Sequence, residues 1–207
     1  MSQELNKYLR ILIKESSRFE RTDINNKVNE SFRAKYGLKL VFLIITLALI
    51  FLLKSGFSNE FISFVSSVLS ILVGLFITAL IFSFDKFYEP NKSEETNSRI
   101  KLWDTQAYNY AKKFAYITSK TIVVSIVTLV ALILSTLFKE SFDLNLFEYT
   151  FIDEKDDLFE SILTGIILVS NFIQRFIVIY FLLRIMYNPL FIVTSMVQYM
   201  TTKIDRM

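Results

Sequence analysis

The chain contains no cysteine and no histidine, and it has only four glycines and two prolines among its 207 residues. Without cysteine there are no disulfide bonds, thiol nucleophiles or thiolate metal sites. Without histidine the chain lacks the commonest general base and a common metal ligand. A glycine-rich phosphate-binding loop is missing as well, since three of the glycines lie in or beside apolar segments. We therefore expect no enzymatic activity, no metal site and no cofactor.

Long apolar segments are abundant, because 53% of the residues are hydrophobic. A hydrocarbon core about 30 Å thick needs roughly 20 apolar residues in a helix. Removing the four longest segments leaves too little chain for a separate globular enzyme domain. The sequence therefore predicts an all-α, polytopic membrane protein that contacts the lipid bilayer through four transmembrane helices. The predicted spans are Leu38–Leu53, Phe61–Phe84, Thr121–Phe138 and Leu158–Leu183.

The basic residues lie mostly on one side of these spans. Of the 23 Lys and Arg, 19 fall within residues 1–39, 85–120 and 184–207. Cytoplasmic flanks of membrane helices are enriched in Lys and Arg. We therefore expect both termini and the middle loop to be cytoplasmic, in a multi-pass protein of the plasma membrane. The first span then acts as an uncleaved anchor, because no signal-peptide pattern precedes it.

The segments outside the membrane are also predicted to be helical. Apolar residues recur at helical spacing between Leu5 and Phe19, and a second periodic run predicts one continuous helix from about Asp23 to Leu53. The third span is expected to continue a long cytoplasmic helix, and Asn188-Pro189 is expected to kink the fourth. The predicted organisation begins with cytoplasmic amphipathic helices at 1–36, followed by a transmembrane hairpin at 37–84 and a cytoplasmic helical segment at 85–120. The third and fourth transmembrane helices are predicted at 121–187, with an acidic outer loop at 139–160 between them. An interfacial cytoplasmic helix is predicted at 188–207.

A polar stripe follows one face of the fourth span. Ionisable and amide groups are costly inside a membrane, by about 2.5–3.5 kcal/mol for an arginine, and they normally face protein or water. One interpretation is that the stripe lines a water-filled pore, with Arg175 facing the interior of an oligomer near the inner leaflet. The alternative is that Arg175 pairs with a neighbouring helix and only holds the bundle together. The stripe consists of Glu160, Thr164, Asn171, Gln174 and Arg175.

Small and hydroxyl residues mark the second and third spans. Small residues at a spacing of four let helices approach closely, so Ser66, Ser70, Gly74 and Thr78 predict a helix-packing seam. The alternative for this seam is a small polar pore wall. The third span carries Thr121, Ser125, Thr128 and Ser135 on one face, but hydroxyls can also bond back to their own helix. The first span has only Thr46 and is expected to face lipid.

Charged residues outside the spans suggest two further surfaces. The loop 139–160 holds eight Asp and Glu against two Lys, which in a symmetric oligomer would form an acidic ring that concentrates cations. The alternative is a solvated acidic loop. The helix preceding the third span interleaves aromatic and basic residues, which can bind an oligonucleotide or nucleotide-type signal or simply anchor the helix at anionic lipids. The candidate residues there are Arg99, Lys101, Trp103, Lys112 and Lys113.

The chain has a short four-span architecture, charged helical cytoplasmic extensions and no catalytic residues. In these features it resembles the small membrane effectors of bacterial antiphage defence systems, such as the membrane subunits of the Hailong or Kiwa type, and we expect it to lie in the bacterial inner (plasma) membrane. The resemblance covers the whole chain as architecture, without a diagnostic motif. It implies a homo-oligomer, with a tetramer favoured, whose conductance is gated by a cytoplasmic protein partner or a nucleotide-type signal. The interpretation that follows is a gated ion-conducting pore. The alternatives are a non-conducting scaffold that recruits a soluble partner and, third, a small transporter.

Overall fold

The computed structural model describes residues 2–22, 27–53, 55–87, 98–142 and 158–204. Within these ranges the regular elements are helices, and the predicted all-α fold is confirmed. Four helical stretches are long and apolar enough to cross a membrane, as expected: Arg33–Leu52, Asn59–Phe82, Tyr108–Leu137 and Ile162–Gln198. The helices are α1 (Ser2–Phe19), α2 (Leu38–Leu52), α3 (Asn59–Phe87), α4 (Ser98–Leu137), α5 (Lys139–Phe142) and α6 (Leu158–Ile204).

The connection between α1 and α2 differs from the prediction. A continuous helix from Asp23 to Leu53 is wrong for residues 27–31, which are not helical. Thr22 and Val28 form an isolated antiparallel bridge instead. The cause is local side-chain bonding that competes with the helix. The Asn29 side chain accepts a hydrogen bond from the Ser31 N–H at 3.0 Å, and the Ser31 hydroxyl accepts one from the Ala34 N–H at 3.3 Å. A π-helical turn, Arg33–Gly37, then leads into α2.

Two long helices carry most of the remaining chain. The predicted continuity of the third span with the helix before it is confirmed, since α4 runs unbroken for 40 residues, or about 60 Å. The cytoplasmic position of its first part stays a prediction. α6 is longer still, at 47 residues, and Pro189 lies inside it. Residues 190–204 therefore continue α6 and do not form a separate helix.

The chain divides into two compact units. Unit 1 comprises Met1–Leu38, Leu72–Val124 and Ile185–Met207, and unit 2 comprises Lys39–Ile71 and Ser125–Arg184. The core of unit 1 brings α3, α4 and α6 together. Its buried members are Phe76, Phe114, Ile117 and Ile192, with Leu72, Ala79, Ile122 and Phe191 packed against them.

Unit 2 buries one face of each of its long helices. α2 was expected to face lipid, but it buries Phe42, Thr46 and Ile50 at a spacing of four, which is one helical face. α3 buries Ile62, Val65 and Leu69 in the same way. The opposite faces of both helices remain exposed and apolar. This pattern suits helices that pack on one side and meet lipid on the other.

Candidate functional site

Unit 2 buries a set of polar side chains that are spread along α2, α4 and α6. Every member is at most 9% exposed. Three of the four residues of the hydroxyl face predicted on the third span belong to it, as does the C-terminal part of the stripe predicted on the fourth, whereas Thr121 lies in unit 1. We call this set the polar cluster. It consists of Thr46 from α2, Ser125, Thr128 and Ser135 from α4, and Asn171, Gln174 and Arg175 from α6.

Arg175 is fully buried and bonds to main-chain carbonyls at two helix ends. Its Nη1 donates to the Leu53 oxygen at 3.2 Å, and its Nη2 donates to the Phe142 oxygen at 3.3 Å. Leu53 directly follows α2, and Phe142 is the last residue of α5. Carbonyls at a helix C-terminus lack intrahelical partners and carry the negative end of the helix dipole. A guanidinium therefore suits a position beside these carbonyls.

These contacts change the interpretation of Arg175. The sequence placed it near the inner leaflet and facing the interior of an oligomer. In the structure the side chain is buried within its own chain, beside the residues at which α2 and α5 end. In the predicted topology these residues lie at the outer ends of the spans. The contacts of Arg175 that the structure describes are therefore with segments of its own chain, and both the pore and the packing interpretation stay predictions.

Gln174 extends the cluster from α6 to α4. Its Nε2 donates to the Ser135 hydroxyl, and that hydroxyl donates to the Ala131 carbonyl oxygen at 2.8 Å. A small pocket of about 10 Å³ adjoins this contact, close to the space that one water molecule needs. The space beside this contact is therefore about the size of one water molecule. The pocket is lined by Gly56, Phe57, Ser135, Lys139, Phe142 and Gln174.

Two hydroxyls of the cluster are buried without a hydrogen bond to any residue that the structure describes. They are the Oγ1 of Thr46 and the Oγ of Ser125. A buried polar atom without a partner carries the cost of its lost hydration, which a water or an ion can restore. These oxygens can therefore accept a bond from water or coordinate a cation.

The other two residues of the predicted polar stripe are Thr164 and Glu160. Thr164 is half-buried. Glu160 belongs to α6, but its side chain lies outside the part of the chain that the structure describes, as does most of the acidic loop 139–160. The predicted acidic ring therefore stays a prediction.

The predicted packing seam on α3 makes little contact within this chain. Ser66 is half-buried, and Ser70, Gly74 and Thr78 are exposed. The Ser70 hydroxyl donates to the Ser66 oxygen at 2.8 Å and the Thr78 hydroxyl to the Gly74 oxygen at 2.9 Å. A Cβ added to Gly74 would meet nothing within 4 Å. The seam is therefore available to lipid or to another copy of the chain.

Lys112 and Lys113 of α4 contact other segments of unit 1. Lys112 lies over the Phe19 ring, 5.8 Å from its centroid. Lys113 donates to the Thr22 oxygen at 3.5 Å and lies 5.9 Å from the Phe191 ring centroid. These contacts favour the packing interpretation over signal binding. The side chains of Arg99, Lys101 and Trp103 lie outside the described part of the chain.

Two polar contacts in unit 1 were missed by the sequence analysis. Lys120 and Glu20 form an ion pair at 2.6 Å, with side chains 6% and 13% exposed. Asn188 Nδ2 donates to the Thr121 hydroxyl at 2.9 Å. The available signal was that Lys120 and Asn188 each stand on an otherwise apolar helix face, where a polar residue usually has a partner.

The fold and the polar cluster define a multi-pass α-helical membrane protein with a polar interior. No protein-family model, curated protein or solved structure matches the chain. Among the residues that the structure describes, no group of three acidic side chains is placed to hold a metal ion. The chemistry of the polar cluster is therefore the basis for inferring function.

Proposed function

We propose that this protein is a gated ion-conducting membrane protein and that the polar cluster of unit 2 lines its ion path. The observation that carries the proposal is the burial of hydroxyl, amide and guanidinium groups inside helices whose outer faces are apolar. Polar groups inside membrane helices commonly mark ion pathways. Hydroxyl and amide oxygens can replace part of the hydration shell of a passing ion.

Arg175 is the gate in this proposal. Its guanidinium ties the ends of α2 and α5 together. A fixed cation at this point also raises the barrier for other cations. The closed packing beside Gln174 and Ser135 supports a resting state that does not conduct. Opening then requires Arg175 to leave the two carbonyls and α4 to separate from α6 at the Gln174 contact.

The physiological setting that we propose is that of an antiphage membrane effector. The chain would assemble as a homo-oligomer, and a cytoplasmic protein partner or a nucleotide-type signal would open it. The support for this setting is the architecture: four apolar spans, helical extensions and an exposed small-residue seam on α3. Expression of the wild type and of Arg175→Met, in which the gate is released, in growing bacteria would test this setting. An opened pore should stop growth.

An ion-flux experiment tests the conduction proposal directly. The purified protein would be reconstituted into liposomes that contain a potential-sensitive dye. We expect Arg175→Met to raise basal flux by roughly tenfold, the change that 1.4 kcal/mol produces in an equilibrium constant. Arg184→Met is the matched control, since it removes the same charge from a half-buried position on the same helix.

Two outcomes contradict the proposal. An equal rise in flux over the wild type in both variants would show that loss of a charge, and not loss of the gate, determines conduction. No flux from the folded wild type or either variant, at any imposed potential, would leave the non-conducting scaffold as the better interpretation. Size-exclusion chromatography of each variant establishes that it is folded before flux is measured.

A further inference from the structure

Helix α1 has two distinct faces. Placing its residues at 100° intervals gives an apolar arc of about 140° and a cationic arc on the other side. The apolar arc contains Leu5, Tyr8, Leu9, Leu12, Ile13 and Phe19. The cationic arc contains Lys7, Arg10, Lys14 and Arg18.

The cover on the apolar arc decreases from its C-terminal end toward its N-terminal end, and Leu9 and Leu12 in between are half-buried. Phe19 is 4% exposed and packs against Tyr116, with ring centroids 5.4 Å apart. Toward the N-terminus the same arc is open: Leu5 is 61% exposed and Tyr8 is 67% exposed. α1 therefore carries a continuous apolar face that packs on α4 at one end and has no cover among the described residues at the other.

The covered end of α1 lies where α4 is expected to enter the bilayer. Glu20 pairs with Lys120, and the next residue, Thr121, begins the predicted third span. Counting back about 20 residues from Leu137, the end of the apolar stretch, reaches the same point on α4. The open part of α1 therefore begins at the level of the lipid headgroups, and the 18-residue helix extends about 27 Å from there.

We propose that α1 lies in the membrane surface, with its apolar arc inserted into the leaflet that α4 enters and its cationic arc bound to anionic lipid headgroups. An amphipathic helix with a basic polar face and an aromatic residue on the apolar face is the type that binds such surfaces. The cationic arc has four basic residues, and Glu4 and Glu15 flank it, so its charge favours an anionic surface. The inference is independent of whether the protein conducts ions.

The absence of cysteine makes a spin-label test direct, because each introduced cysteine is the single labelling site. A nitroxide would be placed at Leu5→Cys on the apolar arc and, as the matched control, at Gln3→Cys on the opposite face. Both positions are exposed. The full-length protein would be reconstituted into vesicles of phosphatidylcholine alone and into vesicles of phosphatidylcholine mixed with phosphatidylglycerol. Accessibility to oxygen, which concentrates in lipid, would be compared with accessibility to a water-soluble nickel chelate.

In the mixed vesicles we expect the Leu5 label to be reached by oxygen more than by the chelate, and the Gln3 label to show the reverse order. In pure phosphatidylcholine the Leu5 label should become more accessible to the chelate.

A Leu5 label that the chelate reaches freely in mixed vesicles would overturn the proposal. A label shielded from both reagents, with spectral broadening from a nearby second label, would show that another copy covers the arc. Equal depth in both lipids would overturn the role of the anionic headgroups.

Discussion

The guanidinium of Arg175 donates a hydrogen bond to the main-chain carbonyl of Leu53, a residue 122 positions earlier in the sequence, at 3.2 Å. A second bond reaches the carbonyl of Phe142. The cation is thus held by backbone atoms at two helix ends. Any residue type at positions 53 and 142 would offer the same carbonyl, so these two contacts of Arg175 leave no pattern in the sequence.

The first prediction concerns the stability that this arginine provides. Arg175→Lys keeps the charge but replaces the planar guanidinium fork with a single ammonium, which cannot be placed to bond both carbonyls equally well. Loss of one hydrogen bond to a charged group should lower the free energy of unfolding by about 1.5–3 kcal/mol. Denaturant titration in detergent micelles would measure it, with Arg184→Lys as the control. If Arg175→Lys unfolds at the same denaturant concentration as the wild type, the two carbonyl bonds contribute little to stability.

Much of the helical architecture follows from the sequence because lipid is the solvent for the outer faces. Long apolar runs must form helices that satisfy their own backbone groups in a membrane, so the four spans were predictable from length and composition. The ends of the spans were less predictable. The fourth span was predicted to end at Leu183, whereas the apolar stretch continues to Gln198. Arg184 and Asn188 interrupt the run in sequence but are sheltered in the fold.

The sequence predicts which residues of the candidate site share a helix face, but not how these helix faces pack against one another. Helical spacing placed Asn171, Gln174 and Arg175 together, and all three are buried. It could not show whether that face meets another copy of the chain or the interior of its own chain. That choice depends on how α6 packs against α4, which is set by contacts such as the one between Gln174 and Ser135.

The second prediction concerns the ion pair that attaches α1 to α4. Lys120 and Glu20 are nearly buried, and removing one member of such a pair leaves an uncompensated charge. Lys120→Met should therefore release α1 and increase trypsin cleavage after Arg18 or Arg21. The double variant Lys120→Met with Glu20→Met should recover part of the protection, because no charge is then left unpaired. Equal cleavage of the single and double variants would show that the pair is not what holds α1.

The third prediction concerns the hydrogen bond from Asn188 to Thr121 inside unit 1. Polar contacts between membrane helices have coupling energies of about 0.6 kcal/mol on average, with a maximum near 1.7. Because this bond is 2.9 Å long and fully buried, we expect a coupling in the upper half of that range. A double-mutant cycle of Asn188→Ala and Thr121→Val, measured by unfolding in detergent, would give the value. Additive effects of the two substitutions would show that the side chains act independently.

The last prediction concerns the exposed seam on α3. A Cβ added at Gly74 would meet nothing within 4 Å in the part of the chain that the structure describes, so we expect Gly74→Leu to leave the monomer folded. Replacing a helix-interior glycine should even stabilise α3, by up to about 1 kcal/mol. If copies associate through Ser70, Gly74 and Thr78, the added bulk should separate their backbones and reduce self-association. Energy transfer between labelled copies in liposomes would measure this, with Leu75→Phe as the control, since Leu75 is 59% exposed on a different part of the helix surface. Reduced transfer in Gly74→Leu alone supports the seam as the contact between copies, whereas unchanged transfer in both variants would assign this face to lipid.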